Sequence, residues 1–287
     1  MGKAADREHY SKFVLCLLDS LSDETNVQKV FDMTDTHIHI GGPYTKEWID
    51  KFVNQAVISG MEEIYLLEHS HRFEEFSPMY DAVCQFSEYQ KSWYNKKKEL
   101  SIEQFKTFIT EMREYEYPIK VKWGLEICYF PDYEDLISSI LKSSDFDFAT
   151  GSIHWVNGFG FDHKSEFWNG INIESLYSSY YDLMISLVKS DLFTGLAHPD
   201  SIKCFNYLPP IDLSNIYLDL ANELNHHNMY AEQSGGLALN YHFSELGMNK
   251  TMLDIFKKKN VDIRFASDAH RPEDVGANIQ KMMSLFT

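Results

Sequence analysis

Seven short apolar or β-rich runs recur along the chain, and stretches with helical periodicity separate them. A short apolar run bounded by polar residues is typical of a strand buried on both faces. Alternation of strands with helices indicates a parallel sheet with helical crossovers. The predicted fold is therefore α/β, a distorted and closed or nearly closed (β/α)7 barrel, with an open doubly wound sheet as the alternative. The predicted strands are 33–39, 62–68, 120–127, 147–153, 193–198, 229–233 and 261–267, and the predicted helices are 45–59, 101–115, 173–189, 214–227 and 249–259.

Polar side chains stand where these predicted strands end. In the run MTDTHIHIGG, His37 and His39 are two residues apart, so on a regular strand they share one face with Asp35. The C-terminal ends of barrel strands converge on one face of the barrel, where barrel enzymes carry out their chemistry. We therefore expect the polar residues of all seven strand ends to meet. The other six ends carry Glu68, His69 and His71, then Glu126, His154, His198 with Asp200, Glu232, and Asp268 with His270.

Imidazoles and carboxylates without thiolates form a nitrogen and oxygen ligand set. Such a set suits Zn, Mn or Fe ions and differs from closed structural zinc sites, which are usually rich in cysteine. About six histidines and at least two carboxylates are too many ligands for one ion, so we expect two or three divalent metal ions that share a carboxylate. Metal pairs of this kind catalyse in-line displacement at phosphorus.

Composition and charge narrow the function further. With 287 residues, 44% of them hydrophobic, the chain is long enough for one large core, and no run approaches the 18 apolar residues of a membrane span. Its four cysteines lie far apart without a C-x-x-C motif, so reduced thiols in a cytoplasmic protein are expected. A formal charge of −17 repels polyanions, so nucleic acid is not an expected partner. The sequence leaves the oligomeric state open.

The motifs resemble those of the polymerase-and-histidinol-phosphatase (PHP) family, and in particular its histidinol-phosphate phosphatases. The first motif, D-x-H-x-H, matches Asp35, His37 and His39, and LEHSH resembles the second motif. The other matching segments are WGLEI, FDFATGSIHWVNGFGFD, FTGLAHPDSIKCF, AEQSGG and ASDAHRPEDVG. The resemblance runs from about residue 33 to 285. It implies two segments, a PHP-like metal-dependent phosphoesterase barrel over 31–287 and, outside the family pattern, an N-terminal extension over 1–30 whose apolar spacing indicates a helix.

The resemblance also implies roles for individual residues. One ion would be held by His37, His39, Glu126 and Asp268, and a second by Glu126, His154 and His198. Because Glu126 has two carboxylate oxygens, it could bridge the two ions, and a water shared by them would supply the hydroxide that attacks phosphorus. The leaving alkoxide needs a proton or a cation, for which Asp268 and His270 are the candidates.

The segment GGPYT, residues 41 to 45, departs from the family pattern, because family members usually carry a further histidine there. The remaining candidates for a third ion are His69, His270 and, if the second strand has ended or bulged at that point, Glu68. We expect this third ion to bind more weakly than the bridged pair.

Three basic residues near the predicted strand ends are candidates for phosphate binding: Arg72, Lys203 and Arg271. The aromatic-rich stretches HWVNGFGFDH and SEFWNG could line a pocket for an imidazole-bearing substrate or could equally be core. The expected function is hydrolysis of L-histidinol phosphate, a small-molecule phosphate ester, to L-histidinol and phosphate. The alternatives are a PHP enzyme with another small phosphate ester or nucleotide as substrate, and a catalytically silent metal-binding module. Retention of Glu126 and Asp268 disfavours the silent module.

Overall fold

Seven parallel strands form one sheet in a computed structural model that describes residues 33–286. In order across the sheet they are β1 (Thr34–His39), β2 (Glu63–His69), β3 (Lys120–Cys128), β4 (Phe148–Ser152), β7 (Gly195–Leu196), β8 (Tyr230–Ser234) and β9 (Ile263–Ala266). A short antiparallel hairpin, β5 (Trp155–Val156) and β6 (Phe159–Gly160), follows β4. The described residues form a compact unit of their own. The predicted N-terminal helical extension, residues 1–30, lies outside them.

Ten α-helices accompany the strands within the described residues. They are α1 (Lys46–Ile58), α2 (Asp81–Phe86), α3 (Glu88–Lys97), α4 (Ile102–Arg113), α5 (Glu134–Lys142), α6 (Ile173–Lys189), α7 (Ser214–His226), α8 (Gly236–Tyr241), α9 (Lys250–Lys258) and α10 (Ile279–Met283). Several begin at a side chain that accepts a backbone N–H of the first turn, as Ser101 does for α4 and Asn172 for α6. Within residues 33–286, no helix combines the length and the apolar character needed to cross a membrane.

All seven predicted strands and all five predicted helices are present, with ends displaced by at most two residues. The sequence interpretation did not predict α2, α3, α5, α8, α10 or the β5–β6 hairpin. Apart from α3, these helices have nine residues or fewer, and the strands of the hairpin have two residues each. Elements this short contain too few turns or alternations for a periodic pattern to be recognised.

The barrel is nearly closed, because the segment after β9 contacts β1. The amide of Asp268 donates to the carbonyl of His37 over 3.0 Å, and the amide of His39 donates to the carbonyl of Ala269 over 2.8 Å. These bonds join the first strand to the last at their C-terminal ends. The prediction of a closed or nearly closed barrel with seven strands is confirmed.

Two glycines make room for aromatic rings in the sheet. A Cβ atom on Gly195 would lie 2.0 Å from the Cζ atom of Tyr230, and one on Gly124 would lie 2.4 Å from the carbonyl oxygen of Phe148. A larger residue at either position would force the neighbouring strand or ring to move. Gly124 stands two residues before the buried Glu126, and Tyr230 stands two residues before the buried Glu232. The tightly packed part of each strand is therefore close to its buried carboxylate.

Asp35 does not join the histidines that follow it, contrary to the face-sharing expected of a regular strand. The pairing of β1 with β2 shifts register between Asp35 and Ile38. The Asp35 carboxylate instead accepts the backbone N–H groups of Ser267 and Gly276, each over 2.9 Å. A β-bulge re-aims side chains in this way, and here it directs Asp35 to the backbone that follows β9.

Candidate metal centre

All the predicted ligands except Glu68 are brought together at the C-terminal ends of the strands. His37 and His39 lie on β1, His69 ends β2 and Glu126 lies near the end of β3. The remaining ligands lie within four residues of their strand ends, namely His154 after β4, His198 after β7, and Asp268 and His270 after β9. His198 and Asp268 have positive φ angles of 28° and 57°. Non-glycine residues rarely adopt such a conformation, and it is concentrated at functional sites.

The first cluster contains the four residues expected for the first ion. The Nε2 atoms of His37 and His39 are 3.0 Å apart. They lie 3.3 and 3.5 Å from Oε2 of Glu126. Oδ1 of Asp268 is 3.3 Å from Nε2 of His39 and 3.9 Å from Nε2 of His37. The four ligand atoms therefore surround one small volume.

The second cluster uses the other oxygen of Glu126. Oε1 lies 2.8 Å from Nε2 of His154 and 3.1 Å from Nε2 of His198. Because Oε2 faces the first cluster, the two oxygens of this one carboxylate face two different groups of imidazoles. Such an arrangement suits a carboxylate that bridges two cations.

A third group contains histidines alone. The rings of His69 and His270 both stack on His39, with centroid distances of 4.0 and 4.1 Å, and the three rings bring nitrogen atoms within 4.8 Å of one another. His69 also places Nδ1 2.8 Å from Oε2 of Glu126.

Glu68 is directed away from this third group. Its Oε1 atom accepts the backbone N–H of Gly41 over 2.7 Å and the hydroxyl of Tyr44 over 2.8 Å. Gly41 and Tyr44 belong to the segment in which the family histidine is missing. The structure therefore does not bring Glu68 together with His69 and His270, and this segment occupies its carboxylate.

Two further carboxylates hold the outer nitrogens of ligand imidazoles. Glu232 lies 3.0 Å from Nδ1 of His37, and Asp162 lies 2.9 Å from Nδ1 of His154. Carboxylates paired in this way with the far nitrogen of a metal-binding histidine fix its tautomer and ring orientation. Glu232 was noted at its strand end but was not assigned to the site. Asp162 was missed, although it ends the family-like segment FDFATGSIHWVNGFGFD.

The residues present fit divalent cations. When Nδ1 of His154 donates to Asp162, Nε2 carries a lone pair, and that lone pair faces Oε1 of Glu126 at 2.8 Å. Two acceptors at this distance need a cation or a proton between them. The buried Oε2 of Glu126 and Nδ1 of His69 have no conventional hydrogen-bond partner among the described residues.

Electrostatics leads to the same conclusion. Burial alone would lower the pKa of His37, but the negative charges of Glu232 and Glu126 raise that pKa well above its usual value. Burial alone would raise the pKa of Glu126, but His69, His154 and His37 hold it well below its usual range. The buried carboxylates therefore attract positive charge to the imidazole nitrogens, where bound cations would supply it.

The sequence of the chain matches the model of the PHP domain over residues 35–234. The chain belongs to the PHP family. Among its curated relatives are the "Probable histidinol-phosphatase" of Deinococcus radiodurans and the "Histidinol-phosphatase" of Bacillus subtilis. The first is 28% identical over 200 residues, covering 64% of this chain and 72% of the relative. The second is 23% identical over 275 residues, covering 84% and 95%.

Solved structures share the fold of this PHP barrel. The hisK protein of Listeria monocytogenes superposes with a TM-score of 0.68 at 15% identity, covering 86% of this chain and 99% of that one. The histidinol phosphate phosphatase of Lactococcus lactis, solved with zinc, L-histidinol and phosphate, superposes with a TM-score of 0.61 at 18% identity, covering 88% and 93%. The predicted barrel and the predicted family are both confirmed.

A cavity of about 500 Å³ lies beside the ligands of the PHP barrel. Its walls include the ligands His69, His154, His198, Asp268 and His270 together with Asp162 and Glu232. Beyond the ligands, its lining contains the aromatic residues Tyr89, Trp93, Trp155 and Tyr241 and two further histidines, His71 and His163. A cavity of this size is large enough for a small organic phosphate.

None of the three basic residues predicted to bind phosphate lines this cavity. Arg72 lies 3.5 Å from Oε2 of Glu68 and 3.4 Å from Glu99. Arg271 is exposed and pairs with Asp274 at 2.9 Å. Both guanidinium groups are thus paired with carboxylates outside the cavity.

Lys203 is buried and fully paired, so the structure gives it a different role from the predicted one. Its Nζ atom lies 2.6 Å from Asp200 and 2.5 Å from Glu245, and it donates to the carbonyl of Gly247 over 2.8 Å. It joins the segment after β7 to the segment after α8. Sequence reasoning missed this role because Glu245 lies 42 residues away along the chain.

Proposed function

We propose that this chain hydrolyses L-histidinol phosphate to L-histidinol and inorganic phosphate, a step of histidine biosynthesis, in a reaction that requires divalent metal ions. The observation that carries the proposal is the position of Glu126, whose two oxygens face two groups of imidazoles beside an open cavity. The substrate is supported by curated relatives named histidinol-phosphatases, one of which is matched over 95% of its length.

The metal ions would be Zn, Mn or Fe, as the nitrogen and oxygen ligands favour. His37, His39, Glu126 and Asp268 would hold one ion, Glu126, His154 and His198 a second, and His69 and His270 a third. Bound cations supply two things in phosphate ester hydrolysis: they neutralise charge on the phosphoryl oxygens, and they lower the pKa of water so that it can attack at neutral pH.

The protein's own residues orient these ligands and supply the proton for the leaving group. Glu232 and Asp162 hold the rings of His37 and His154 so that their Nε2 atoms face Glu126. Asp268 and His270 are the candidates for the proton donor, because both line the cavity. His270, whose side chain is 48% exposed, can supply the proton only when it does not hold the third ion.

We also propose that the enzyme is cytoplasmic. Cys84, Cys128 and Cys204 are free thiols, and protein thiols persist in a reducing compartment.

Release of inorganic phosphate from a panel of phosphate monoesters tests the proposed reaction. The metal-loaded protein should hydrolyse L-histidinol phosphate with a kcat/KM at least about tenfold above that for p-nitrophenyl phosphate, because the cavity binds the organic half as well as the phosphate. EDTA should abolish both activities. Equal or inverted kcat/KM values would instead indicate another small phosphate ester or a nucleotide as the substrate.

A further inference from the structure

One side of the cavity is built from flat rings, which we call the aromatic wall: His71, Tyr89, Trp93, Trp155 and His163. Trp93 is central, with its ring centroid 4.8 Å from His71, 4.8 Å from His163 and 5.7 Å from Trp155. Tyr89 stands edge-on to His163 at 5.6 Å. Trp93 and Tyr89 come from α3, an element that sequence reasoning did not predict.

The aromatic wall is continuous with the metal ligands. His69 stacks on His71 with a centroid distance of 4.5 Å, and Trp155 directly follows the ligand His154, whose ring is 5.8 Å away. A phosphate held by cations at the ligand clusters would therefore leave its organic substituent only a few bonds from the wall.

Exposure distinguishes this wall from ordinary core packing. Trp155 is only 4% exposed and forms the base of the wall, whereas Tyr89 is 37% exposed, and Trp93 is half-buried. Large aromatic rings whose faces remain open to a cavity are available to a ligand.

The charge of the cavity selects among possible ligands. Within residues 33–286 its lining includes no lysine or arginine. Of its four acidic residues, Asp200 pairs with Lys203, Glu232 with His37, and Asp268 lies in the first cluster, so Asp162 is the carboxylate next to the wall. Asp162 directly precedes His163 of the wall, and its side chain is 23% exposed. A ligand group next to this wall gains from carrying positive charge, both from the carboxylate and from the aromatic faces.

We propose that the aromatic wall binds the planar ring and the ammonium group of the substrate's organic half, with Trp93 as the residue that determines specificity. The inference rests on the proposed function, because it names the part of the site that would select an imidazole-bearing amine among phosphate esters. The phosphate group itself would be bound by cations at the ligand clusters.

Three phosphate esters separate the two recognised features. L-Histidinol phosphate has a ring and an ammonium group, phosphoethanolamine has the ammonium group alone, and phenyl phosphate has a ring alone. The Trp93→Ala variant should raise KM for L-histidinol phosphate about tenfold, as expected for the loss of one stacked aromatic contact, and change kcat by less than about twofold. In the same variant, kcat/KM for phenyl phosphate should also fall. The kcat/KM for phosphoethanolamine, which has no ring, should fall less than the values for the two ring-bearing esters.

Controls separate ring recognition from damage to the fold. Trp93→Phe keeps a flat face and should recover most of the loss. Phe86→Ala removes a ring that is 49% exposed on the preceding helix and does not line the cavity, so KM should stay unchanged. Tyr89→Ala tests the wall independently if Trp93→Ala does not fold. An equal loss for all three esters in Trp93→Ala would overturn the proposal.

Calorimetry with L-histidinol gives a second readout that does not depend on turnover. Its Kd for the metal-loaded protein should rise about tenfold in Trp93→Ala, in step with KM. An unchanged Kd would overturn the role of the wall even if the wild-type protein hydrolyses L-histidinol phosphate. If the wild-type protein releases no phosphate from that ester, the proposed function fails, and the Kd measurement still decides the inference.

Discussion

Glu126 is the residue on which both main ligand clusters depend. The substitution Glu126→Gln keeps the shape of the side chain and removes the charge that two cations would share. We expect kcat to fall by about a thousandfold or more while the fold persists, since the electrostatic contribution of bound metals is among the largest in such reactions. Phosphate release and circular dichroism measure the two effects.

An exposed carboxylate provides the control for this substitution. Glu111→Gln on α4 makes the same chemical change at an exposed residue that does not line the cavity, and it should leave kcat unaltered. If Glu126→Gln kept more than about a tenth of kcat, a loss of only ~1.4 kcal/mol of transition-state stabilisation, the bridging role would be rejected.

For individual residues, the sequence predicted correctly which ligands come together. It predicted less well which side chains each residue contacts. Ligands at strand ends could be predicted because parallel strands bring their C-terminal ends to one face. The side-chain contacts of Arg72 with Glu99 and of Lys203 with Glu245 join residues far apart along the chain, and no local pattern records them. Glu68 was a candidate ligand because of its position beside His69, but the turn at Gly41 occupies its carboxylate.

Among the structural elements, the junction of β1 with the segment after β9 decides whether the first cluster can form. Asp35 anchors that segment through the amides of Ser267 and Gly276. In Asp35→Asn only one side-chain oxygen remains to accept, so one buried N–H loses its partner. The free energy of unfolding should decrease by about 1–3 kcal/mol, as measured by urea denaturation.

The neighbouring Thr36 offers a matched comparison. Its hydroxyl donates to the carbonyl of Phe265 over 3.0 Å, so Thr36→Val removes one hydrogen bond from the same junction. That loss should be about 1 kcal/mol or less, because the carbonyl can keep its other contacts. If Asp35→Asn were no more destabilising than Thr36→Val, the anchoring role of Asp35 would be wrong.

The same junction shows where prediction of elements fails. The strands were found because buried parallel strands form continuous apolar runs. The bulge in β1 could not be predicted, because a register shift depends on the partner strand and leaves no signal in the sequence of β1 itself. Helix α3 carries Trp93 but has few apolar residues at helical spacing, so its place beside the cavity becomes apparent only in three dimensions.

For the molecule as a whole, the ligand clusters imply that metal binding and stability are linked. Without cations, the carboxylates and imidazoles of the clusters lie buried about 3 Å from one another. Buried groups of this kind cost the folded state free energy unless opposite charge compensates them. A ligand that binds only the folded state raises stability by about 4 kcal/mol at a thousandfold excess over its Kd. The protein should therefore melt at a lower temperature after EDTA treatment and recover when Zn or Mn is restored.

The clusters should not lose their metals together. Glu126 is itself a ligand of the first and second clusters, whereas the third set of ligands, His69 and His270, contains no carboxylate, and His270 is 48% exposed. Neutral imidazoles compensate a divalent charge less well than a carboxylate does, and an exposed ligand is more easily displaced by water. Dialysis should leave about two ions per chain and remove a third, as elemental analysis and anomalous scattering would measure. Three ions retained equally would mean that another residue completes the third set and that the loss of the histidine in GGPYT does not weaken it.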